Sequence, residues 1–521
     1  MIAVSDAWKS TQYRFILPET FVEITCGLSD VGAQDSVTIT GTNEAVFSNT
    51  RGVAGNTRDV TVENCATFEQ NLWALDGSKN IFPDDGPHNG KGYVNDQGLQ
   101  AVLTLSVPEL RTIAIPGITI TWSSEYGEYP TEFSVVAKNG DTEVATAYIT
   151  DNTSTVSEIN MNLVNYDSIT IEVMSWCVPN HRVRIDQVSF GHVVKFTKKD
   201  IIGYSHGQYG HLNSGEIPKN SIEFTVDNTD GRWNPSNPSG IEKYLSERQR
   251  VTVRYGMDID GTIEWIDAGT FYLSEWRAPS NGLEASFAAR DIFEYMLNEP
   301  YTGEKTGTLL QLVNNAFDQV GVPGDFKTVI DPSLGEKTAT LLGEYTAAEV
   351  VQMCANACCC VFYQDRKGVL HIEPLNKAHT GYTISTALSY THPEITLSKP
   401  LRNVAVSYSE DVYTLNVAAT GETQTVDNPF VETEEQAAVI AEWVKETLES
   451  RKLVVGEFRA DPRLDVFDIV TVESKYGPIV PVAITNILFR YSGSFHAVYE
   501  GRVLVGDNQL DSFILDQSTL A

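Results

Sequence analysis

Apolar and polar residues alternate with a period of two along most of the chain. The runs "QDSVTITGT", "GITITWSS", "TEFSVVAK", "SITIEVMSW", "RVRIDQVSF", "RQRVTVRYG" and "DIVTVESKYG" each place apolar side chains on one face and polar ones on the other. This is the signature of half-buried strands. Gly, Asn, Asp and Pro separate the runs, as turns require. A period near 3.6 appears in three stretches. "TLLQLVNNAFDQVG" aligns Leu309, Val313, Phe317 and Val320 on one stripe. "TAAEVVQMCANACCC" opens on a capping box, Thr346 with Glu349, and "TEEQAAVIAEWVKETLESRK" on another, Thr433 with Gln436. The last of these lines up Ala437, Ile440, Ala441, Val444 and Leu448 for burial. The fold class is therefore mainly β with inserted helices (α+β).

The texture is interrupted between about residues 61 and 192. Strand signals over 1–60 do not complete a domain. The stretch that follows holds about seven strands at the spacing of a β-sandwich. Its inward positions are Ile118, Ile120 and Trp122; Phe133, Val135 and Ala137; Ala145, Ala147 and Ile149; Ile159, Met161 and Leu163; Ile169, Ile171 and Val173; and Val183, Ile185 and Val188. Strand signals of the earlier kind resume after Gly191.

One segment, "EFTVDNTDGRWNPSNPSG" (Glu223 to Gly240), begins as a strand and breaks into turn-forming residues around Trp233. Asx turns there satisfy their own backbone, and Pro235 and Pro238 stiffen the excursion. Trp233 reads as a structural plug folded back on the edge of the barrel to which this strand belongs, rather than a ligand-stacking face.

The chain has 521 residues and a formal net charge of −32. Such a surface repels phosphates, so tight nucleic acid or anionic membrane binding is not expected. The N-terminal residues lack the basic start and apolar core of a signal peptide, and no apolar run is long enough to span a bilayer. Seven cysteines, four of them crowded into "CANACCC", read as a reduced, small-residue helix face in a core and not as a metal site. That usage points to a reducing compartment. His206 and His211 in "YSHGQYGH" read as polar contacts of a Gly- and Tyr-rich loop. No HExxH, GxSxG or Cys–His signature is present, so no catalytic residues are assigned. No cofactor is expected. Asp84 and Asp85 of "FPDDGPHNGKG" are weak candidates for a Ca²⁺ ion, with a solvated loop the plainer reading.

Two resemblances follow from these motifs. "YDSITIEVMSWCVPNHRVRIDQVSFG" resembles the closing strands of galactose-binding-like jelly rolls, a fold common among carbohydrate-binding modules. Around it, "CATFEQNLWALDGS" (Cys65 to Ser78), "EFTVDNTDGRWNPSNPSG" and "DAGTFYLSEW" resemble segments of bacteriophage tail proteins, the last as a strand pair. "TAAEVVQMCANACCCVFYQDRKGVLHIEPL" is similar to the helix-plus-hairpin unit of baseplate hub and tail-tip hub proteins, with Asp365 to Gly368 as the turn. "RADPRLDVFDIVTVESKYGPIVPVAITNILFRYSGSFHAVYEGR" resembles the closing barrel of the same family, with Asp465 and Asp468 flanking the turn into a strand.

The hub resemblance implies two hub β-barrels joined by small α/β modules, with the jelly roll inserted in the first barrel. The expected domains are barrel 1 in two parts (1–60 and 193–300), the jelly roll (61–192), a helix-rich α/β connector (301–375), barrel 2 (376–505) with a helix near 433–452, and a C-terminal tail (506–521). The implied role is a homotrimer in the virion tail, assembled in the host cytoplasm. It would adapt a six-fold tube to a three-fold tip around a lumen that passes DNA. The implied partners are the tail tube or distal tail ring, the tape measure protein, tail fibres or receptor-binding proteins, and a host cell-surface glycan. A contractile tail-like injection particle, and a free glycan-binding protein or hydrolase accessory subunit, stay open as alternatives.

Sugar recognition by the jelly roll calls for aromatic faces beside amides or charges. "SSEYGEYPTE" supplies Tyr126 and Tyr129; "SWCVPNHRVR" supplies Trp176, Asn180, His181 and Arg182. Trp122 keeps step with Ile118 and Ile120 and reads as core. Trp176 keeps step with Glu172 and Met174, which makes it an exposed candidate, with a buried plug at the strand end as the competing reading.

Overall fold

The computed structural model describes residues 1–14, 18–29, 33, 36–41, 101–112, 114–122, 127–177, 183, 185–237, 240–245, 247–279, 282–320 and 328–504. The fold is mainly β with a few helices. The chain divides into two compact units. One comprises Met1–Ile24, Phe196–Thr229 and the chain from Arg250 on; the other comprises Thr25–Lys195 and Asp230–Gln249.

The first unit is organised by one extended sheet. Its strands follow the order Arg250–Ile259, Thr262–Arg277, Glu284–Arg290, Lys219–Asp227, Ile201–Tyr209, Gly477–Tyr491, Phe495–Val503, Lys452–Phe458 and Glu394–Leu397. The antiparallel pairing of Ile201–Tyr209 with Gly477–Tyr491, Tyr204 opposite Tyr491 and Tyr209 opposite Asn486, joins the strands expected of two separate barrels into one continuous sheet. "DAGTFYLSEW" is not a strand pair. It lies within the single strand Thr262–Arg277, which is bulged opposite Val253/Arg254 and again between Leu273 and Glu275. Bulges bend and twist a strand without ending it. At the first bulge sits Gly269, where a Cβ would meet the Phe271 ring at 2.5 Å.

Helices form in all three stretches of 3.6-residue period and, among the described residues, in three short segments outside them. Asp6–Gln12 (α1) is capped by the Ser5 hydroxyl, which accepts from the Trp8 amide at 3.0 Å. Ile292–Met296 (α2), Leu309–Val320 (α3), Ser333–Glu336 (α4) and Ala347–Ala357 (α5) build a helix-rich layer around Phe293, Leu312, Val351, Cys354 and Phe362. α3 buries Leu309, Val313 and Phe317 from the expected stripe, together with Leu312 and Ala316. Both capping boxes form: the Thr346 side chain accepts from the Glu349 amide, and Thr433 from the Gln436 amide. Glu434–Leu448 (α6) does not lie on the extended sheet. Ala437, Ile440, Ala441 and Val444 pack it on a separate three-stranded sheet, ordered Asp411–Asn416, Leu401–Tyr408, Glu422–Val426.

The second unit is a sandwich of two sheets. One runs Thr38–Gly41, Ala101–Arg111, Tyr166–Trp176, Pro130–Asn139, Thr142–Ile149; the other runs Val156–Leu163, Ile115–Trp122, Ile185–Ser189. Alternation explains its core: Leu103, Leu105, Ile118, Ile120, Trp122, Phe133, Val135, Ile169, Ile171 and Val188 all point inward. Gly117 is required where the sheet begins, because its φ is +152° and a Cβ there would sit 1.8 Å from the Ile159 carbonyl oxygen.

Candidate functional site

The sandwich determines which of its expected ligand-binding side chains face outward. Tyr166–Trp176 pairs with Pro130–Asn139 so that Phe133 faces Val173, but Glu132 faces Ser175. Met174 is the extra residue of a bulge, and one extra residue reverses the phase of every side chain after it. Trp176 therefore turns inward. It is 3% exposed, its indole N–H donates to Glu128 Oε2 at 2.8 Å, and its ring stands edge-on to Trp122 at 6.1 Å. The exposed, sugar-stacking reading of Trp176 is thus corrected: the ring is part of the core. Trp122 is wholly buried, donating its N–H to Ser157 Oγ at 2.9 Å. Tyr129 is half-buried against the same core, and its amide donates to Cys177 Sγ at 3.3 Å. Tyr126, Asn180, His181 and Arg182, with Asp84 and Asp85, lie outside the described residues, as does the "CATFEQNLWALDGS" segment.

Trp233 is buried, 1% exposed, but its segment Asp230–Gln249 belongs to the sandwich unit and not, as expected, to the unit that holds the strand before it. The segment is held by local bonds. Asp230 Oδ1 accepts from the Arg232 amide at 3.0 Å, Asn234 Oδ1 from the Ser236 amide at 2.9 Å, and Asn237 Nδ2 donates to the Gly231 carbonyl at 3.0 Å. Tyr244 reaches the sandwich itself, donating to Asn162 Oδ1 at 3.3 Å. The Arg232 guanidinium lies 5.6 Å from the Trp233 ring centroid.

The first unit brings a set of titratable groups together. The hairpin Val361–Gln364 and Leu370–Glu373 turns at Asp365–Gly368. His371 on its second strand sits between two carboxylates, Nδ1 3.0 Å from Glu373 Oε1 and Nε2 3.4 Å from Asp365 Oδ2. Tyr363 stacks on the imidazole at 4.7 Å and donates to the same Glu373 oxygen at 2.9 Å. Burial alone would lower the His371 pKa. The hydrogen bond to Asp365 and the charges of Glu373 and Asp365 outweigh it and raise it.

The next residue of the turn, Arg366, plunges into the unit. Its Nε donates to Asp465 Oδ2 at 3.0 Å, and its terminal nitrogens donate to the Pro462 and Leu464 carbonyls. Its guanidinium lies 5.9 Å from the Tyr255 ring and 5.8 Å from that of Phe489. Beyond Tyr255 lies a buried polar chain. The Tyr204 and Tyr255 hydroxyls are 2.9 Å apart, Tyr255 Oη is 2.6 Å from His206 Nδ1, and His206 Nε2 is 2.7 Å from Asn220 Oδ1. His206 is thus not in a loop. It lies in the strand Ile201–Tyr209, and burial, with the Arg366 charge, lowers its pKa to about 3. The signal for this was the alternation of Tyr204, His206 and Gln208, which share one face. His211 accepts the Gly215 amide at 3.0 Å through Nδ1.

A cavity of about 330 Å³ is lined by this hairpin and by Asp291, Asp465 and Asp468. Asp468 accepts the amide of Asp465 at 2.8 Å and pairs with the Met1 ammonium. Among the described residues, no cluster of three or more His, Cys, Asp or Glu side chains is arranged to hold a metal ion. The Cys354 thiol is wholly buried and burial pushes its pKa well up, which makes it unreactive. The arrangement is a hydrogen-bonded joint in which the side chains serve one another.

Comparison with known proteins gives likenesses at the level of structure. The 43 kDa tail protein of prophage MuSo2 from Shewanella oneidensis is 14% identical, with a TM-score of 0.42, over 60% of this chain and 94% of that one. A tail protein from Neisseria meningitidis is 13% identical, with a TM-score of 0.43, over the same shares. A prophage tail protein from Listeria monocytogenes is 13% identical, with a TM-score of 0.39, over 62% of this chain and 94% of that one. No protein-family model matches the chain, and no curated protein matches it by sequence.

One consequence of the joint is measurable. Asp291 precedes α2 and accepts the Glu294 amide at 3.0 Å, yet it is wholly buried, and burial pushes its pKa up to about 7. The folded state therefore keeps a proton that the unfolded chain loses near pH 3.8, so this group's contribution to stability falls as pH rises from about 4 to about 7. Asp291→Asn retains the oxygen that accepts the amide and removes the ionisation. We expect the variant to match the wild type near pH 4 and to be the more stable at pH 8, the gap growing by about 1 kcal/mol per pH unit in between. Melting curves at pH 4, 6 and 8 test this; a gap that does not change with pH would show that Asp291 is ionised throughout.

Proposed function

We propose that the chain is a structural component of a tail tip or baseplate, a hub protein whose inserted sandwich binds host-surface glycan. The observation that carries the reading is the order of its segments. Hub-like strands and the helix-plus-hairpin unit run through one discontinuous unit, Met1–Ile24, Phe196–Thr229 and the chain from Arg250 on, interrupted by a self-contained sandwich. The termini of an inserted domain must return to the same host, and a sandwich whose core closes on itself meets that condition.

In this proposal the chain is a homotrimer on the tail axis, contacting the tube or distal ring, the tape measure protein and the fibres. The charge of −32 suits a lumen wall that must not retain DNA. The same architecture serves a contractile tail-like injection particle, for which the roles are unchanged. Antibody labelling of purified particles, followed by reconstruction of the tip, is expected to place three copies on the axis at the distal end. Six copies, or none on the axis, would refute the hub reading.

A further inference from the structure

The outer face of the sandwich's five-stranded sheet holds an aromatic that the loops were expected to supply. Tyr148, on the edge strand Thr142–Ile149, is 73% exposed. Cross-strand pairs share a face, and pairing fixes its neighbours: Tyr148 is opposite Ser134, Ser134 is opposite Glu172, and Glu172 is opposite Val102. This row precedes the bulge at Met174, so its phase is undisturbed. Ser134 is buried and small, and forms a floor between the tyrosine and the glutamate. Two strand spacings separate those walls, about 10 Å between backbones. The adjoining row is Thr146, Val136, Thr170 and Thr104, with the Thr104 and Thr170 hydroxyls 3.4 Å apart.

We propose that this trough is a saccharide subsite, taking a pyranose of a neutral or amino-bearing polysaccharide. The proposal rests on the glycan-binding reading above and moves the site from the loops to the sheet face. Three features select that ligand. An exposed phenol ring at one wall offers a flat apolar face to the C–H side of a sugar. Glu172, half-buried and without an ion pair or side-chain hydrogen bond among the described residues, accepts from sugar hydroxyls or an ammonium. The threonine row supplies hydroxyls that both donate and accept. An acidic polymer is disfavoured by Glu172 and by the charge of the whole chain.

The test uses the full chain. Calorimetric titration with chitohexaose, its deacetylated form and solubilised Gram-positive wall polysaccharide, with polygalacturonate as the anionic control, is run on the wild type and three variants. We expect binding to at least one of the first three and not to the control. Tyr148→Ala should weaken it about tenfold or more, the equivalent of about 1.4 kcal/mol. Glu172→Gln should weaken the deacetylated probe more than chitohexaose. Tyr476→Ala, at an exposed aromatic of the first unit, should change nothing. Since Tyr148 is largely exposed, its variant should melt with the wild type. Binding that survives Tyr148→Ala and Glu172→Gln overturns this site and leaves the glycan reading standing. A wild type that binds none of the three saccharides overturns both, and leaves the structural hub reading to the reconstruction described above.

Discussion

Arg366→Ala is expected to lower the stability of the first unit by about 3–5 kcal/mol, the range for removing one partner of a buried ion pair. The side chain is almost wholly buried and satisfies three acceptors at once: the Asp465 carboxylate and the carbonyls of Pro462 and Leu464. Truncation strands the two carbonyls where little water reaches them and leaves the partly buried Asp465 without its cation, and each such group costs free energy of its own. It also withdraws a cation from the faces of Tyr255 and Phe489. Lysine is not an adequate replacement, because a single ammonium cannot present the planar fork that reaches a carboxylate and two carbonyls together. Two controls sharpen the result. Arg366→Lys should recover only part of the loss. Asp465→Ala combined with Arg366→Ala should be less damaging than the sum of the two single changes, since the carboxylate left behind is then absent. Denaturant unfolding followed by fluorescence would measure all of these. A loss below about 1 kcal/mol for Arg366→Ala would mean that water reaches the site and the turn at Asp365–Gly368 is not a clamp.

Trp176→Ala is expected to cost the sandwich about 3–5 kcal/mol, as large aromatic truncations in cores do. The loss combines an unfilled volume beside Trp122 with removal of the donor that bonds Glu128. Trp176→Phe should fall between wild type and alanine, because it keeps an aromatic ring against Trp122 and loses the N–H. Near-UV circular dichroism and the melting temperature report the change directly. The contrast with Tyr148→Ala is the informative part. One aromatic should alter stability, the other only binding. If Trp176→Ala melts like the wild type and abolishes saccharide binding instead, the inward turn of the strand end is wrong and the loop site returns.

Much of the local architecture was legible because it depends on near neighbours in the chain. Periodicity located six strands of the sandwich and the helices α3, α5 and α6, and the two capping boxes marked helix starts within a residue; it missed Ala101–Arg111 and gave Thr38–Gly41 to the first barrel. The inward positions of Ile118, Ile120, Trp122, Phe133 and Ile171 followed from alternation alone. Alternation failed at Trp176, since a bulge is set by pairing with Pro130–Asn139 and leaves no mark in the residues of Tyr166–Trp176 themselves.

What the sequence by itself determined is the class of fold and most of the run of strands and longer helices. These rest on period, turn residues and caps, each encoded within a dozen residues. The tertiary structure alone decided which strands share a sheet, so that Ile201–Tyr209 meets Gly477–Tyr491 and two expected barrels become continuous. It alone brought Arg366 to Asp465 and His206 to Tyr255 and Asn220. It also placed Tyr148, Ser134 and Glu172 in one row. Such contacts join residues tens to hundreds of positions apart, and pairing is selected by the burial and hydrogen bonding of whole faces, which no local pattern of the chain can carry.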